Sequence, residues 1–301
     1  MRTKAMKIPK PDIKVAEVFG SCLSNMREAN KLLFQPCLPE IISSTEDYEQ
    51  HMEDGSHEKV TPSESICGVP KSELEKLYTA KLSKTKQPPR KYYDKIISAA
   101  PMGLCPYCHQ QIVSTLDHYY PKTHYISLVL SPTNLIPSCA NCNKNKLDAV
   151  IRKKEDAVLN PYYEDSDSFI WLSAALNKDA VSDFLTMVFY VSPSDDCDPI
   201  LRTRLENQFI LFRLNDLYSK HAAEEMIAVV NRHSRIYKVA GRAGVEESIQ
   251  ESIEENEYRP NSWQSAMYRA LNDEWYLNVW LPQKCSEAIV SPCPRENEQG
   301  I

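Results

Sequence analysis

The amino-acid sequence predicts an α+β fold, a small ββα unit embedded in a mostly helical chain, and three observations carry that prediction. Two Cys-x-x-Cys pairs, Cys105/Cys108 and Cys139/Cys142, bracket a stretch with two short apolar runs, Ile112 to Leu116 and Val129 to Leu135. The first run reads as a strand and the second as a loop or second strand, and a helix is expected to begin near Cys142 and run through Leu147, Val150 and Ile151. Elsewhere apolar residues recur at helical spacing, as in Leu74, Leu77, Tyr78 and Leu82. Each cysteine pair supplies two thiolates from one tight turn, and two pairs make the closed tetrahedral sulfur site of structural zinc. Such an ion compensates for a ββα core too small to hold alone.

Length and composition set the frame. The 301 residues suffice for two domains or one domain with extensions, and 42% hydrophobic with 25% charged residues describe a soluble globular protein. Nowhere do eighteen apolar residues run together, so no membrane span is expected. The N-terminus is basic without an apolar segment, unlike a secretory signal. Six further cysteines (Cys22, Cys37, Cys67, Cys197, Cys285, Cys293) are scattered, and a chain of this size folds without disulfides. A reducing, cytoplasmic location is expected. The net charge of -6 argues against a nucleic-acid binder working by global charge. Lysines and arginines nevertheless cluster on both sides of the cysteine stretch: Lys81 to Lys95 before it, Lys144 to Lys154 after it. Such a belt serves phosphate contacts, although each run alone reads equally as a solvated helix face.

Taken in order, residues 1–70 read as an N-terminal extension and linker, helical from Val15 to Phe34 and then polar and aperiodic over 43–70, with His51 and His57 exposed. A helix is expected from Lys71, with Ser72 and Glu75 forming a capping box. Gln87-Pro88-Pro89 stops it, and Arg90 to Ala100 starts the next helix, which delivers the chain to Cys105. Residues 71–165 are taken as the catalytic domain with its preceding helices. Residues 166–282 are a mostly helical region that docks a partner, and 283–301 a disordered tail. In that region Phe184 to Val191 reads as a strand, Gly241 ends a helix, and Asn261-Ser262 caps another.

The chemistry sits between the knuckles. Hydrolysing a phosphodiester requires a base for the attacking water and a cation for the growing charge. His118 suits the base, since a neutral imidazole titrates near working pH. Asp117 and Asn143 offer oxygens to a hard divalent ion, leaving room for water and a phosphate oxygen. Asn134 suits a positioning role, its amide bonding backbone and fixing the loop that carries His118. Lys146 lies one helical step from Asn143, and with Lys122 and Lys144 is expected to touch phosphate. Tyr119, Tyr120, Tyr162 and Tyr163 are expected to pack rather than bind, and His124 to lie at or near the surface.

These residues, in the order C-P-x-C, D-H-x-x-P, N-L and C-x-x-C-N-x-x-K, resemble the zinc-knuckle HNH endonucleases of the ββα-metal superfamily. The resemblance implies that His118 is the first motif residue, Asn134 the middle one, and that Asn143 replaces the last His. This H-N-N form implies Mg²⁺ or Mn²⁺ at Asp117 and Asn143, separate from the structural zinc. A looser resemblance, carried by LDHYYPK, NLIPSCANCNKNK and NPYYED, is to HNH subunits of Septu-type bacterial anti-phage defence. It implies an ABC- or SMC-type ATPase partner, which must be a separate chain because no Walker A motif occurs here. The expected function is a metal-dependent endonuclease, DNA favoured. Structured RNA such as tRNA is the alternative substrate, because catalytic residues that see only phosphate do not separate the two. A zinc-dependent nucleic-acid-binding or adaptor subunit without catalysis is the alternative class.

Overall fold

The computed structural model describes residues 8–148, 150–178 and 185–287, and divides the chain into two compact units. The first holds the chain up to Ile170 together with Pro193–Leu214, and the second holds Trp171–Ser192 and the chain from Asn215. The boundaries drawn from sequence at 70 and 165 do not coincide with these units.

In the first unit, helix α1 (Val15–Leu23) buries Val15, Val18, Phe19 and Cys22, an i, i+3, i+4, i+7 stripe. Helix α2 (Glu28–Phe34) follows, and then α3 (Leu38–Glu53), which opens with Pro39 in its first turn, where a missing N–H is harmless. This α3 corrects the expected linker over 43–70. Ile41, Thr45, Tyr48 and Met52 form one buried stripe among acidic and hydroxyl residues, too narrow to register as a periodic pattern. Tyr48 ties the helix to the site-bearing loop, its hydroxyl donating to the Thr133 carbonyl at 2.9 Å. His57, expected at the surface, is 2% exposed.

A minimal hairpin, β1 (Ser65–Ile66) and β2 (Val69–Pro70), turns at Cys67 and Gly68, both at positive φ. It leads into α4 (Lys71–Lys76), which continues as a π-helical turn over Leu77–Leu82. The expected Ser72–Glu75 capping box does not form, because the helix begins directly after Pro70 and places Ser72 inside its first turn. Helix α5 (Arg90–Ser98) comes next, after the prolines. These helices share one apolar core with the ββα unit, in which Phe19, Leu74 and Ile96 cluster with Leu116, Val129 and Leu135.

The ββα unit is β3 (Thr115–His118), β4 (Leu135–Ser138) and α6 (Ala140–Lys146). The strands pair antiparallel with Asp117 opposite Ile136 and His118 opposite Leu135. Compared with the expected run, β3 has slid toward the C-terminus. Ile112 is 76% exposed and only bridges Leu104, while Asp117 and His118 are inside the ladder. Helix α6 also stops earlier than expected, at Leu147, whose φ of 47° leaves the helical region. With Leu147 exposed and Ile151 buried, the apolar residues beyond Lys146 do not share one helical face. Helix α7 (Pro199–Leu211) belongs to the same unit, held by Arg204, which pairs bidentately with Glu164 at 2.6 and 2.7 Å.

In the second unit, β5 (Leu172–Asn177) and β6 (Thr186–Val191) form an antiparallel hairpin with Leu172 opposite Val191. The expected strand near 184–191 is β6, and its partner β5 was not anticipated. The long α8 (Leu214–Glu255) breaks at Gly241, which takes φ 64° and ψ −159°, a conformation costly for a residue with a side chain. Helix α9 (Trp263–Leu271) is N-capped by Ser262, whose Oγ accepts from the Ser265 amide at 3.2 Å. Helix α10 (Leu281–Glu287) corrects the expectation of disorder directly after Pro282. The rest of the expected tail, including Cys293, lies outside the described residues. No helix among them is long and apolar enough to cross a membrane.

Candidate active site

The knuckles come together as a closed site. The sulfurs of Cys105, Cys108, Cys139 and Cys142 all lie within 4.8 Å of one another, and all four residues are buried. A tetrahedral ion with Zn–S bonds of about 2.3 Å sets its sulfurs about 3.8 Å apart, so the cluster fits zinc. Each knuckle also offers a backbone donor to thiolate, with Gln111 N to Cys108 Sγ and Cys142 N to Cys139 Sγ, both at 3.4 Å. Four thiols this close cannot all ionise unaided. Hydrogen bonds from Cys105 and its neighbours push the Cys139 thiol down, while the same crowding pushes Cys108 and Cys142 up. A cation at the centre removes that conflict. No other group of three or more His, Cys, Asp or Glu with this geometry occurs among the described residues.

Beside the knuckle is an open cleft of 390 Å³ lined by Thr115, Asp117, His118, Lys122, Asn143 and Lys144, among others. Strand β3 delivers Asp117 and His118, and α6 delivers Asn143. His118 is 8% exposed, and burial pushes its imidazole down to about 3, so the ring is neutral at neutral pH. Its Nε2 lies 3.0 Å from the Val129 carbonyl. A carbonyl can only accept, so Nε2 carries the proton and Nδ1 presents its lone pair.

Asn134 is fully buried and bonds three backbone groups. Its Oδ1 accepts from Tyr120 N at 2.8 Å, and its Nδ2 donates to Tyr120 O at 3.1 Å and Leu128 O at 3.2 Å. The loop between β3 and β4 is thereby closed across its own base. Asn143 donates to Thr115 Oγ1 at 3.3 Å through Nδ2, which orients its Oδ1 as the remaining acceptor. Thr115 stands two residues before Asp117 on the strand and so shares its face, a relation that period-two reasoning could have picked out.

Lys146 departs most from expectation. Its side chain is 4% exposed, and Nζ donates to the His118 carbonyl at 2.6 Å while pairing with Asp117 Oδ2 at 3.1 Å. The lysine expected to meet phosphate thus ties α6 to β3 from within. Tyr107, inside the first knuckle, completes the network by donating to Asp117 Oδ2 at 2.9 Å, and its ring stacks on Phe212 at 4.7 Å. Burial raises the Asp117 carboxyl, and the Lys146 ammonium opposes that rise. Oδ2 is thus occupied, while Oδ1 has only a 3.4 Å contact to Lys146. With Asn143 Oδ1, this leaves a hard-oxygen donor set on the cleft that fits a small divalent cation.

Of the other expected contacts, Lys144 is exposed on the cleft rim, and Lys122 lies 4.0 Å from Glu75. Tyr119 and Tyr120 are fully buried, their hydroxyls donating at 2.6 Å to Val158 O and His57 O. Tyr162 is buried too and donates to Leu135 O at 2.7 Å. His124 is 43% exposed through its side chain. Tyr107 and the interior role of Lys146 have no signature in residue type or spacing.

Comparison with known proteins agrees with this geometry. Residues 105–148 match the family model described as HNH endonuclease, which supports a nuclease acting on nucleic acid. Over 290 residues the chain is 24% identical to Protein ea31 of Escherichia phage lambda, a similarity covering 88% of this chain and 96% of that protein. No solved structure matches.

Proposed function

We propose that the protein is a metal-dependent endonuclease that hydrolyses phosphodiester bonds, with His118 as general base and DNA as the favoured substrate. One observation supports this above the rest. A neutral imidazole faces an open cleft with its Nε2–H fixed by a backbone carbonyl, beside a carboxylate and an amide oxygen suited to a cation. In the reaction, water attacks phosphorus, its proton passes to Nδ1 of His118, and the opposite P–O bond breaks. Asp117 and Asn143 would hold a Mg²⁺ or Mn²⁺ ion, which would supply positive charge beside the phosphate and the leaving oxygen. Asn134 holds the loop that closes over the base, and Lys144 and Lys122 on the rim meet neighbouring phosphates.

The test is cleavage of plasmid DNA and of total tRNA with Mg²⁺, Mn²⁺ or EDTA, comparing wild type with His118→Ala. Cutting is expected to need the ion and to fall in the variant by about 10²- to 10⁴-fold, the usual worth of a general base. Unchanged cutting by His118→Ala would remove the reading. Preference for tRNA over plasmid would move the substrate to structured RNA, and binding without cutting under all conditions would favour an adaptor. The looser resemblance to defence-system subunits adds one arm, in which a co-encoded ATPase is supplied and the same cutting is followed.

A further inference from the structure

A ring from outside the matched segment, on the π-helical turn Leu77–Leu82, packs against His118. Tyr78 is the second residue of that turn, its carbonyl accepting from the Ser83 amide at 2.9 Å, an i→i+5 bond in place of the α-helical i→i+4. Turns of this kind are rare and concentrate at functional sites. Here the widening has a visible effect. Leu77, Tyr78 and Leu82 are all buried, whereas at the α-helical 100° per residue Leu82 would fall about 140° from Leu77. The turn brings Tyr78 against His118, with ring centroids 4.4 Å apart and planes inclined at 68°, an edge-to-face contact. The Tyr78 hydroxyl donates to Leu116 O at 3.2 Å, two residues before His118 on β3. Both rings are 8% exposed.

We propose that Tyr78 is a positioning residue for His118: its ring sets the plane of the imidazole, while the Val129 carbonyl sets which nitrogen carries the proton. The inference rests on the reading of His118 as the base. It also explains why helices outside the ββα unit share a core with it. An imidazole tethered at Nε2 alone can still rock about that hydrogen bond, and the tyrosine edge removes this freedom. Misplacement of a reacting group by about 1 Å can cost on the order of 100-fold in rate, so a contact made only to the base has reason to matter.

Three full-length variants test this. Tyr78→Phe keeps the ring and loses the hydroxyl, Tyr78→Leu keeps apolar bulk and loses the ring, and Tyr78→Ala loses both. The expected result is a kcat for Tyr78→Phe within about threefold of wild type, and for Tyr78→Leu a fall of about tenfold or more at unchanged KM and unchanged oligonucleotide binding. A Tyr78→Leu protein that cuts at the wild-type rate overturns the proposal, as does one in which KM and kcat worsen together with the melting temperature. A second readout does not depend on cutting. The ring ¹H and ¹³C signals of His118, identified by their loss in His118→Ala, should relax as those of a fixed ring in wild type and Tyr78→Phe and as those of a rocking ring in Tyr78→Leu, while the ¹⁵N shifts report the Nε2–H tautomer in all three. Equal ring mobility in wild type and Tyr78→Leu overturns the positioning role even if the wild type proves silent as a nuclease. Wild-type silence with a ring whose mobility depends on Tyr78 would instead remove only the nuclease reading.

Discussion

The knuckle and the cleft lie in one matched segment of 44 residues (105 through 148), yet they solve opposite problems. The knuckle is closed, with four identical soft donors, all buried and each crowding the next. The cleft is open and lined by a mixed set of imidazole, carboxylate, amide and hydroxyl groups, each tied by a hydrogen bond to a neighbour. A closed sulfur site has no place for substrate, and an open oxygen site has too few ligands to hold a fold. On the proposed reading, stability and chemistry are separable here, although α6 contributes to both knuckle and cleft.

The largest expected effect lies on the knuckle side. Stripping zinc, or replacing one ligand with Cys139→Ser, removes binding energy on the order of 10 kcal/mol and leaves buried thiols in conflict. Loss of bound zinc, of helical circular dichroism and of cutting should coincide. If zinc left and the fold stayed, the division of labour would be wrong. His118→Ala marks the cleft side, because it should silence cutting while the melting temperature and zinc content hold.

Lys146 sharpens the comparison, since it is buried behind the cleft and is expected to behave like the knuckle. Lys146→Met leaves Asp117 buried without its counter-charge, and breaking a buried pair by removing one partner costs about 3–5 kcal/mol. Denaturant melts should show that loss, and Asp117→Asn added to it should recover part. A melt unchanged by Lys146→Met would return the lysine to the phosphate.

The mildest treatment, because it changes no residue, is acid. Burial pushes His118 down to about 3 and His57 down to about 4, with Arg204 adding to the second. In this range the unfolded chain binds more protons than the folded one, because an unperturbed histidine titrates near 6.5. Stability should therefore fall as pH drops below about 6.5, by about 1.4 kcal/mol per pH unit for each histidine, until the folded values are reached. Denaturation midpoints at pH 7 and pH 5 measure the slope, and a flat line would contradict the burial of these rings.

How far this was legible in the sequence depends on the range of each interaction. Ligand spacing is local, so Cys105, Cys108, Cys139 and Cys142 could be paired from order alone. The chemistry of single side chains is equally local, which is why His118, Asp117, Asn134 and Asn143 stood out. Helix stops at Gln87-Pro88-Pro89 and Gly241 followed from backbone sterics. Weak periodicity hid α3, whose four buried residues lie among charged ones, and β5, which fell in a region read as mostly helical. The capping box at Ser72 failed because a sequence pattern does not say where the helix starts.

By itself, the sequence determined which atoms are available for metal and proton chemistry, because residue identity and short spacing carry that information. Only the tertiary structure decided what those atoms touch. It turned Lys146 inward to Asp117, set Tyr107 behind that pair, and brought Tyr78, forty residues upstream, edge-on to His118. The reason is physical. A lysine at the end of a helix is as compatible with solvent as with a buried carboxylate, and only the packing of α6 on β3 chooses between them.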